Sequence, residues 1–267
     1  MKINKIINLS LSAFCAVFLA SCDGKKTDPY KGFAPSKIYK IGHSALKDGD
    51  QKVAIKAYES LNAQYPFNSD TKLGNSSLIY AYYLDDNAAM VLASSSRYLR
   101  LYPESDDSVY AYYMTGIENY NSGRGFLQRY FPYDMSQHDP KNYQQAYDAF
   151  DKVVSKYPNS VYAKDSRRRM VYLKNVMAHY ELNVSEYYFQ MKAYAASLAR
   201  ARGILLNYPR TTSIKPALEL MYYDYKNLYL PEYANQINTV YEKNYGYRLN
   251  GLNKKDNKKD NKKNNRK

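Results

Sequence analysis

Apolar residues recur every three to four positions along most of the chain, in stretches of about 15 residues that short polar turns separate. This spacing places the apolar side chains on one face of a helix, and no stretch shows the strict alternation of a half-buried strand. The pattern therefore predicts ten helices in five pairs, over residues 36–48 and 51–65, 69–84 and 87–102, 106–121 and 140–156, 160–190 and 191–207, and 212–227 and 231–244.

Four of these stretches end on the same dipeptide, Tyr-Pro, which marks an internal repeat. Proline cannot continue a helix, so each Tyr-Pro predicts a helix end. A short polar side chain follows each proline within three positions, and we predict that it caps the next helix by accepting from free backbone N–H groups. The dipeptides and their predicted caps are Tyr65-Pro66 with Ser69, Tyr102-Pro103 with Ser105, Tyr157-Pro158 with Ser160, and Tyr208-Pro209 with Thr211.

The interior of the repeating unit carries small residues where paired helices must approach closely. In the first unit Gly42 lies 12 residues before Ala54, and Tyr58 follows four residues later on the same helix face. Gly, Ala, an aromatic residue and Pro in a helical pair of about 34 residues resemble the tetratricopeptide repeat, although its consensus Trp is absent. The resemblance predicts an all-α fold, a solenoid of about five tetratricopeptide-like helix pairs over residues 36–247. The third pair is interrupted by a loop at 121–139, and such long loops are usually functional or disordered.

The start of the chain is typical of a bacterial lipoprotein. Residues 1–21 combine Lys2 and Lys5 with an apolar stretch too short to span a bilayer, as in a signal peptide. This stretch ends in small residues before Cys22, which resembles a lipobox and predicts S-diacylglycerol and N-acyl groups on Cys22. The only other cysteine, Cys15, would leave with the signal, so we expect no disulfide. Residues 22–35 are polar and aperiodic, which predicts a lipid anchor and tether.

The far end of the chain is strongly basic. The formal net charge is +14, and from Lys254 onward seven Lys and one Arg stand against two Asp. Residues 248–267 are therefore predicted to be a basic disordered tail, either solubilising or in contact with anionic lipid or an acidic partner. An export signal argues against nucleic acid as the partner.

Tyrosine is the outstanding feature of the composition, with 33 residues and no Trp. Most tyrosines have the spacing of core residues, so we expect them to replace Phe and Leu in packing. A solenoid must leave a minority exposed, and an exposed tyrosine offers an apolar ring with a hydrogen-bonding tip that suits peptide or protein binding.

Six segments of the chain have a distinctive sequence. They are Tyr65-Pro66-Phe67, Leu78-Ile79-Tyr80-Ala81-Tyr82-Tyr83, Tyr113-Met114-Thr115-Gly116, Asp134-Met135-Ser136-Gln137-His138-Asp139-Pro140, Tyr157-Pro158-Asn159-Ser160 and Val184-Ser185-Glu186-Tyr187-Tyr188. In these segments, in their order and in the interrupted third repeat, the chain resembles one lipoprotein family, BamD, the tetratricopeptide lipoprotein of the machinery that inserts β-barrel proteins into the bacterial outer membrane.

The resemblance implies a non-catalytic protein with two binding surfaces. The first pairs would bind unfolded outer-membrane protein precursors, and the last pairs would dock on a BamA-like barrel subunit and on accessory lipoproteins. The substrate-binding candidates are Tyr39, Tyr65, Phe67, Tyr80 and Tyr83, and the partner-binding candidates are Tyr187, Tyr188, Arg200 and Arg202. The implied location is the periplasmic face of the outer membrane, although Asp23 resembles an inner-membrane retention signal of enterobacteria.

Nothing in the sequence indicates an enzyme or a cofactor. The three histidines, His43, His138 and His179, are scattered without metal-ligand spacing, so we expect no metal site and no catalytic residues. Two alternatives to barrel assembly remain open. One is another tetratricopeptide envelope lipoprotein, which scaffolds a pilus or cell-wall assembly complex. The other is a relative of a helical lytic enzyme, for which the chain lacks a catalytic domain.

Overall fold

The computed structural model describes residues 28–122, 136 and 139–249, and ten α-helices lie within them. Each predicted helix is present with its ends within three residues of the prediction, and the described residues contain no strand, so the all-α prediction is confirmed. The helices are α1 (Pro35–Lys47), α2 (Gln51–Gln64), α3 (Ser69–Leu84), α4 (Ala88–Leu101), α5 (Ser108–Ser122), α6 (Lys141–Lys156), α7 (Ala163–Gln190), α8 (Tyr194–Asn207), α9 (Ile214–Asn227) and α10 (Pro231–Tyr245).

The chain divides into two compact units, residues 1–81 and 82–267. In the first unit, α1 and α2 pack around Tyr58, whose side chain is fully buried. A Cβ atom at Gly42 of α1 would lie 2.8 Å from the ring of Tyr58, closer than van der Waals contact allows. The absence of a side chain at Gly42 therefore lets α1 approach α2, as the sequence predicts, and burial raises the pKa of Tyr58 to about 12.

The second unit contains a row of core clusters, each built from successive helices. One cluster joins α5, α6 and α7 around Phe150, the next joins α7, α8 and α9 around Ile204, and the last joins α9 and α10 around Tyr241. Since α7 and α9 each contribute to two clusters, the core continues from one pair to the next. That continuity is the packing expected of a helical solenoid.

The four Tyr-Pro tyrosines all end their helices in one backbone conformation. Tyr65, Tyr102, Tyr157 and Tyr208 follow α2, α4, α6 and α8 with φ between −136° and −124° and ψ between 50° and 58°. In each case the tyrosine N–H still donates to the carbonyl four residues earlier. The dipeptide therefore completes the last helical turn before proline redirects the chain.

The predicted capping role of the hydroxyl residues after Tyr-Pro is wrong for three of the four sites. The hydroxyl of Ser160 is buried and does not accept from the next helix. Ser69 is the first residue of α3, and the side chain of Asn68 accepts from the Asp70 N–H at 2.8 Å instead. Thr211 donates its hydroxyl to the Tyr208 carbonyl at 2.8 Å rather than accepting from the next helix. The same donation to a Tyr-Pro carbonyl recurs from Thr71 to Tyr65 at 2.5 Å and from Ser108 to Tyr102 at 2.6 Å.

The folded part of the second unit extends past α10. Leu249 is buried in the α9–α10 cluster. The side chain of Asn238 accepts from the Leu249 N–H at 2.7 Å and donates to the Leu249 carbonyl at 3.2 Å. The predicted start of the basic tail at residue 248 is therefore corrected to a position after Leu249, and residues 250–267 lie outside the described residues.

Candidate binding surfaces

Residues 28–34 bind to the C-terminal end of α2, and we call them the N-terminal clasp. The Asp28 carboxylate accepts from the Tyr30 N–H at 2.9 Å, from the Ser60 hydroxyl at 2.7 Å and from the Gln64 side-chain amide at 3.0 Å. These hydrogen bonds, led by that from Ser60, hold the pKa of Asp28 below its ordinary value. Because the folded-state pKa is lowered, their contribution to stability is present above the ordinary Asp pKa and is lost as the pH falls through the lowered value.

Two further hydrogen bonds close the N-terminal clasp. The Gln64 side chain accepts from the Gly32 N–H at 2.9 Å, and the Tyr65 hydroxyl donates to the Phe33 carbonyl at 2.8 Å. The prediction of a tether that runs to residue 35 is therefore corrected, since the part of it that the structure describes is attached to α2. Cys22 itself lies outside the described residues.

The structure separates the predicted substrate-binding residues of the first unit. Tyr39 is half-buried, with its ring 6.0 Å from that of Tyr58 and stacked on His43. Tyr65 is half-buried, and its hydroxyl belongs to the clasp. Phe67 is 98% exposed in the turn before α3. Tyr39 and Tyr65 therefore contribute to packing within the unit, unlike the exposed Phe67.

An exposed apolar face lies along α3. Tyr80 is 44% exposed, and Leu73, seven residues earlier and thus on the same helix face, is 46% exposed. Tyr83, on the last turn of α3, is 39% exposed. The sequence analysis missed Leu73, although its spacing from Tyr80 gives the signal. An apolar helix face of this kind can receive an apolar segment of another chain.

The second candidate surface lies on the hairpin of α7 and α8. The Ser185 hydroxyl donates to the Ser197 carbonyl at 2.8 Å, which fixes the register of the two helices. In this register Arg200 forms an ion pair with Glu181 at 3.1 Å, which holds the pKa of Arg200 above its ordinary value. Tyr188 lies seven residues after Glu181 on the same face of α7. The structure thus brings Tyr188 and Arg200 to one face.

The two remaining partner-binding candidates are placed differently. Tyr187 is 59% exposed, and its ring contacts that of Tyr188 edge to face at 5.9 Å. Arg202 is exposed two residues after Arg200, which turns it to another face of α8. Tyr187, Tyr188, Glu181 and Arg200 form what we call the hairpin face, and Arg202 lies outside it.

One residue of the predicted 121–139 loop is held against α7. Ser136 is buried, with its hydroxyl 2.6 Å from Nδ1 of His179 and its carbonyl accepting from the Asn183 amide at 3.3 Å. Asp139 accepts from the Lys141 N–H at 2.9 Å at the start of α6. The end of the loop is therefore held at Ser136 by α7 and at Asp139 by the start of α6. Residues 123–135, 137 and 138 lie outside the described residues.

Within the described residues, no group of three or more His, Cys, Asp or Glu side chains is placed to hold a metal ion. The described helices also include none that is long and apolar enough to cross a membrane. What the described residues do present is a series of helix faces with exposed aromatic and charged side chains. The class of protein that this arrangement defines is a helical-repeat protein.

Comparison with known proteins gives the family. The family model described as YfiO, outer membrane lipoprotein, matches residues 32–240. Outer membrane protein assembly factor BamD of Vibrio cholerae is 32% identical over 223 residues, which cover 84% of this chain and 92% of the relative. BamD of Neisseria gonorrhoeae is 32% identical over 239 residues, covering 90% and 88%. The chain therefore belongs to the BamD family, and the resemblance noted in the sequence is confirmed.

Among solved structures, the crystal structure of MamA protein is similar with a TM-score of 0.35 and 16% identity. The match covers 82% of this chain and 98% of MamA.

Proposed function

We propose that this protein is a non-catalytic subunit of the complex that assembles outer-membrane proteins. It binds unfolded β-barrel precursors and docks on a BamA-type barrel subunit and its accessory lipoproteins. The observation that carries the proposal is the match to proteins named outer membrane protein assembly factor BamD along nearly the whole chain, 84% and 90% of it for two relatives. The match includes both candidate surfaces rather than one helix pair.

We further propose that lipid on Cys22 holds the protein at the periplasmic face of the outer membrane. The family description as an outer membrane lipoprotein and the lipobox-like residues before Cys22 support this location. Asp23 favours the inner membrane only in bacteria that use the enterobacterial retention rule. Membrane fractionation of the native host distinguishes the two locations.

The exposed face of α3 is the proposed contact for precursors. The C-terminal strand of an unfolded barrel protein carries alternating apolar side chains, and Leu73 and Tyr80 offer apolar area next to a phenolic hydroxyl. The hairpin face is the proposed docking surface for the barrel subunit. Its two tyrosines supply apolar area, and its ion pair gives a charge pattern that can fix the register of a partner.

Depletion of the protein in its native host tests the function. If the proposal holds, the amounts of several unrelated β-barrel proteins in the outer membrane fall together, because they share one assembly step. Affinity capture of the protein from solubilised membranes is also expected to recover the BamA-type subunit. Unchanged barrel levels, or capture of pilus or cell-wall assembly proteins in place of that subunit, would contradict the proposal.

A further inference from the structure

The N-terminal clasp determines where the chain leaves the folded first unit. Asp28 is bound to Ser60 and Gln64, and Gln64 is the last residue of α2. Six peptide units separate Asp28 from Cys22, and an extended chain spans at most about 3.6 Å per residue. The lipid-bearing cysteine can therefore lie no farther than about 22 Å from the clasp.

Among the described residues of the first unit, the most exposed large apolar side chain follows closely after α2. Phe67 follows Gln64 by three residues and is 98% exposed. A bound clasp and a short connection to the proposed lipid on Cys22 limit the clasp to within about 22 Å of the membrane that holds the lipid. Aromatic side chains partition favourably into the headgroup region of a bilayer.

Exposed lysines also lie in and directly after the clasp. Lys31 is exposed within the clasp, and Lys37 is exposed with its Nζ atom 3.8 Å from the centre of the Phe33 ring. The connection between Cys22 and the clasp contains Lys25 and Lys26. Cations close to an anionic membrane surface are attracted to it.

We propose that this end of the first unit binds the phospholipid surface, with Phe67 among the headgroups and Lys31 and Lys37 facing lipid phosphates. The inference rests on the proposed lipid anchor at Cys22. It adds an orientation, because the end of the unit that carries the turn between α2 and α3 faces the membrane, and the turn between α1 and α2 faces away from it. It also assigns Phe67 to lipid rather than to the precursor.

The chain contains no Trp, so a single Trp reports its own position by fluorescence. The test compares Phe67→Trp with Lys47→Trp. Lys47 is exposed at the C-terminal end of α1, about 18 Å along the helix axis from the N-terminal end, which follows the clasp. Each mature lipidated variant is reconstituted into vesicles of phosphatidylethanolamine and phosphatidylglycerol that contain brominated acyl chains. Phe67→Trp is expected to lose about half of its fluorescence, and Lys47→Trp to keep its own.

Equal quenching of both variants, or none at Phe67→Trp, would overturn the orientation. Mass spectrometry of the reconstituted protein separates this failure from failure of the anchor. If Cys22 carries lipid and Phe67→Trp is not quenched, the membrane contact is wrong while the anchor and the proposed function stand. If Cys22 carries no lipid, the proposed anchor is wrong, and so is the membrane contact of Phe67 that depends on it. Since Phe67 is almost fully exposed, its replacement by Trp leaves the fold of the unit intact.

Discussion

At the scale of single residues, close helix contacts depend on glycines that face buried aromatic rings. Gly42 faces Tyr58 in the first unit, and Gly116 faces Phe150 in the second. A Cβ atom at Gly116 would lie 2.5 Å from the Phe150 ring, which is fully buried and cannot move aside. Gly203 on α8 is different, because a Cβ atom there meets nothing within 4 Å.

The two helical glycines of the second unit therefore predict opposite effects of Gly→Ala. Gly116→Ala is expected to lower the free energy of unfolding by about 1–3 kcal/mol, because the added methyl group overpacks the contact with Phe150. Gly203→Ala is expected to raise it by about 0.5–1 kcal/mol through helix propensity alone. Urea unfolding of both variants measures the change. A stabilised Gly116→Ala would show that α5 and α6 are not in close contact.

Tyr80 supports a second prediction at this scale. A photo-crosslinking amino acid at position 80 is expected to capture unfolded barrel precursors in living cells, since the side chain lies on the exposed face of α3. The control places the same amino acid at Lys56, which is exposed on α2 of the same unit. Equal capture at both positions would remove the assignment of precursor binding to the α3 face.

At the scale of helices, the Tyr-Pro dipeptides made the helix ends predictable, because proline acts locally. The capping hydroxyls were mispredicted because Thr211 can either accept from the next helix or donate to the preceding carbonyl, and only the turn geometry decides between these. The clasp could not be predicted, since Asp28 and Gln64 are 36 residues apart. The exposure of each tyrosine depends on such contacts too, so sequence alone could not separate Tyr39 from Tyr80.

The hairpin of α7 and α8 permits a charge-swap test of docking. Arg200→Glu is expected to reduce capture of the BamA-type subunit about tenfold, in line with the coupling energies of interfacial charge pairs. Arg202→Glu makes the same charge change outside the hairpin face and is expected to have little effect. The double variant Glu181→Arg with Arg200→Glu restores the internal ion pair in reverse.

The double variant separates docking from folding. If it restores thermal stability but not capture, Arg200 contacts the partner. If the double variant restores both thermal stability and capture, Arg200 only stabilises the α7–α8 hairpin, and the proposed docking role is wrong. A loss of capture in Arg202→Glu as large as that in Arg200→Glu would place the docking surface on another face of α8.

At the scale of the whole molecule, the folded region is longer at both ends than the helix pattern indicates. The clasp extends it to Asp28, and the pairing of Asn238 with Leu249 extends it beyond α10. Both extensions lack helical periodicity, which is why the sequence assigned them to a tether and a tail. Leu249 gave a weak signal, since it is an apolar residue in a largely polar stretch. The two proposed binding surfaces lie on different helices, one on α3 and the other on α7 and α8, so each can be altered without changing a residue of the other.

Two truncations locate the end of the fold. A chain that ends at Asn250 keeps Leu249, so we expect its stability and capture of partners to match those of the full chain. A chain that ends at Tyr247 loses the burial of Leu249 and leaves Asn238 buried without this pairing, which is expected to cost about 2–4 kcal/mol. Thermal unfolding of the two chains measures the difference. Equal melting temperatures would show that Leu249 does not stabilise the unit.

The clasp and the residues of α2 that bind it are 32 or more residues apart in the sequence, which sets an order of events in the proposed export of the chain. In the proposed export of this chain, the N-terminus crosses the inner membrane first, so residues 28–34 emerge more than 25 residues before Ser60, Gln64 and Tyr65. Throughout that interval the stretch that follows Cys22 has no α2 to bind. The proposed attachment of lipid to Cys22 and removal of the signal peptide would therefore take place on a chain whose clasp has not yet formed. On this proposal, the clasp closes after modification of the chain and before the folded protein takes part in assembly.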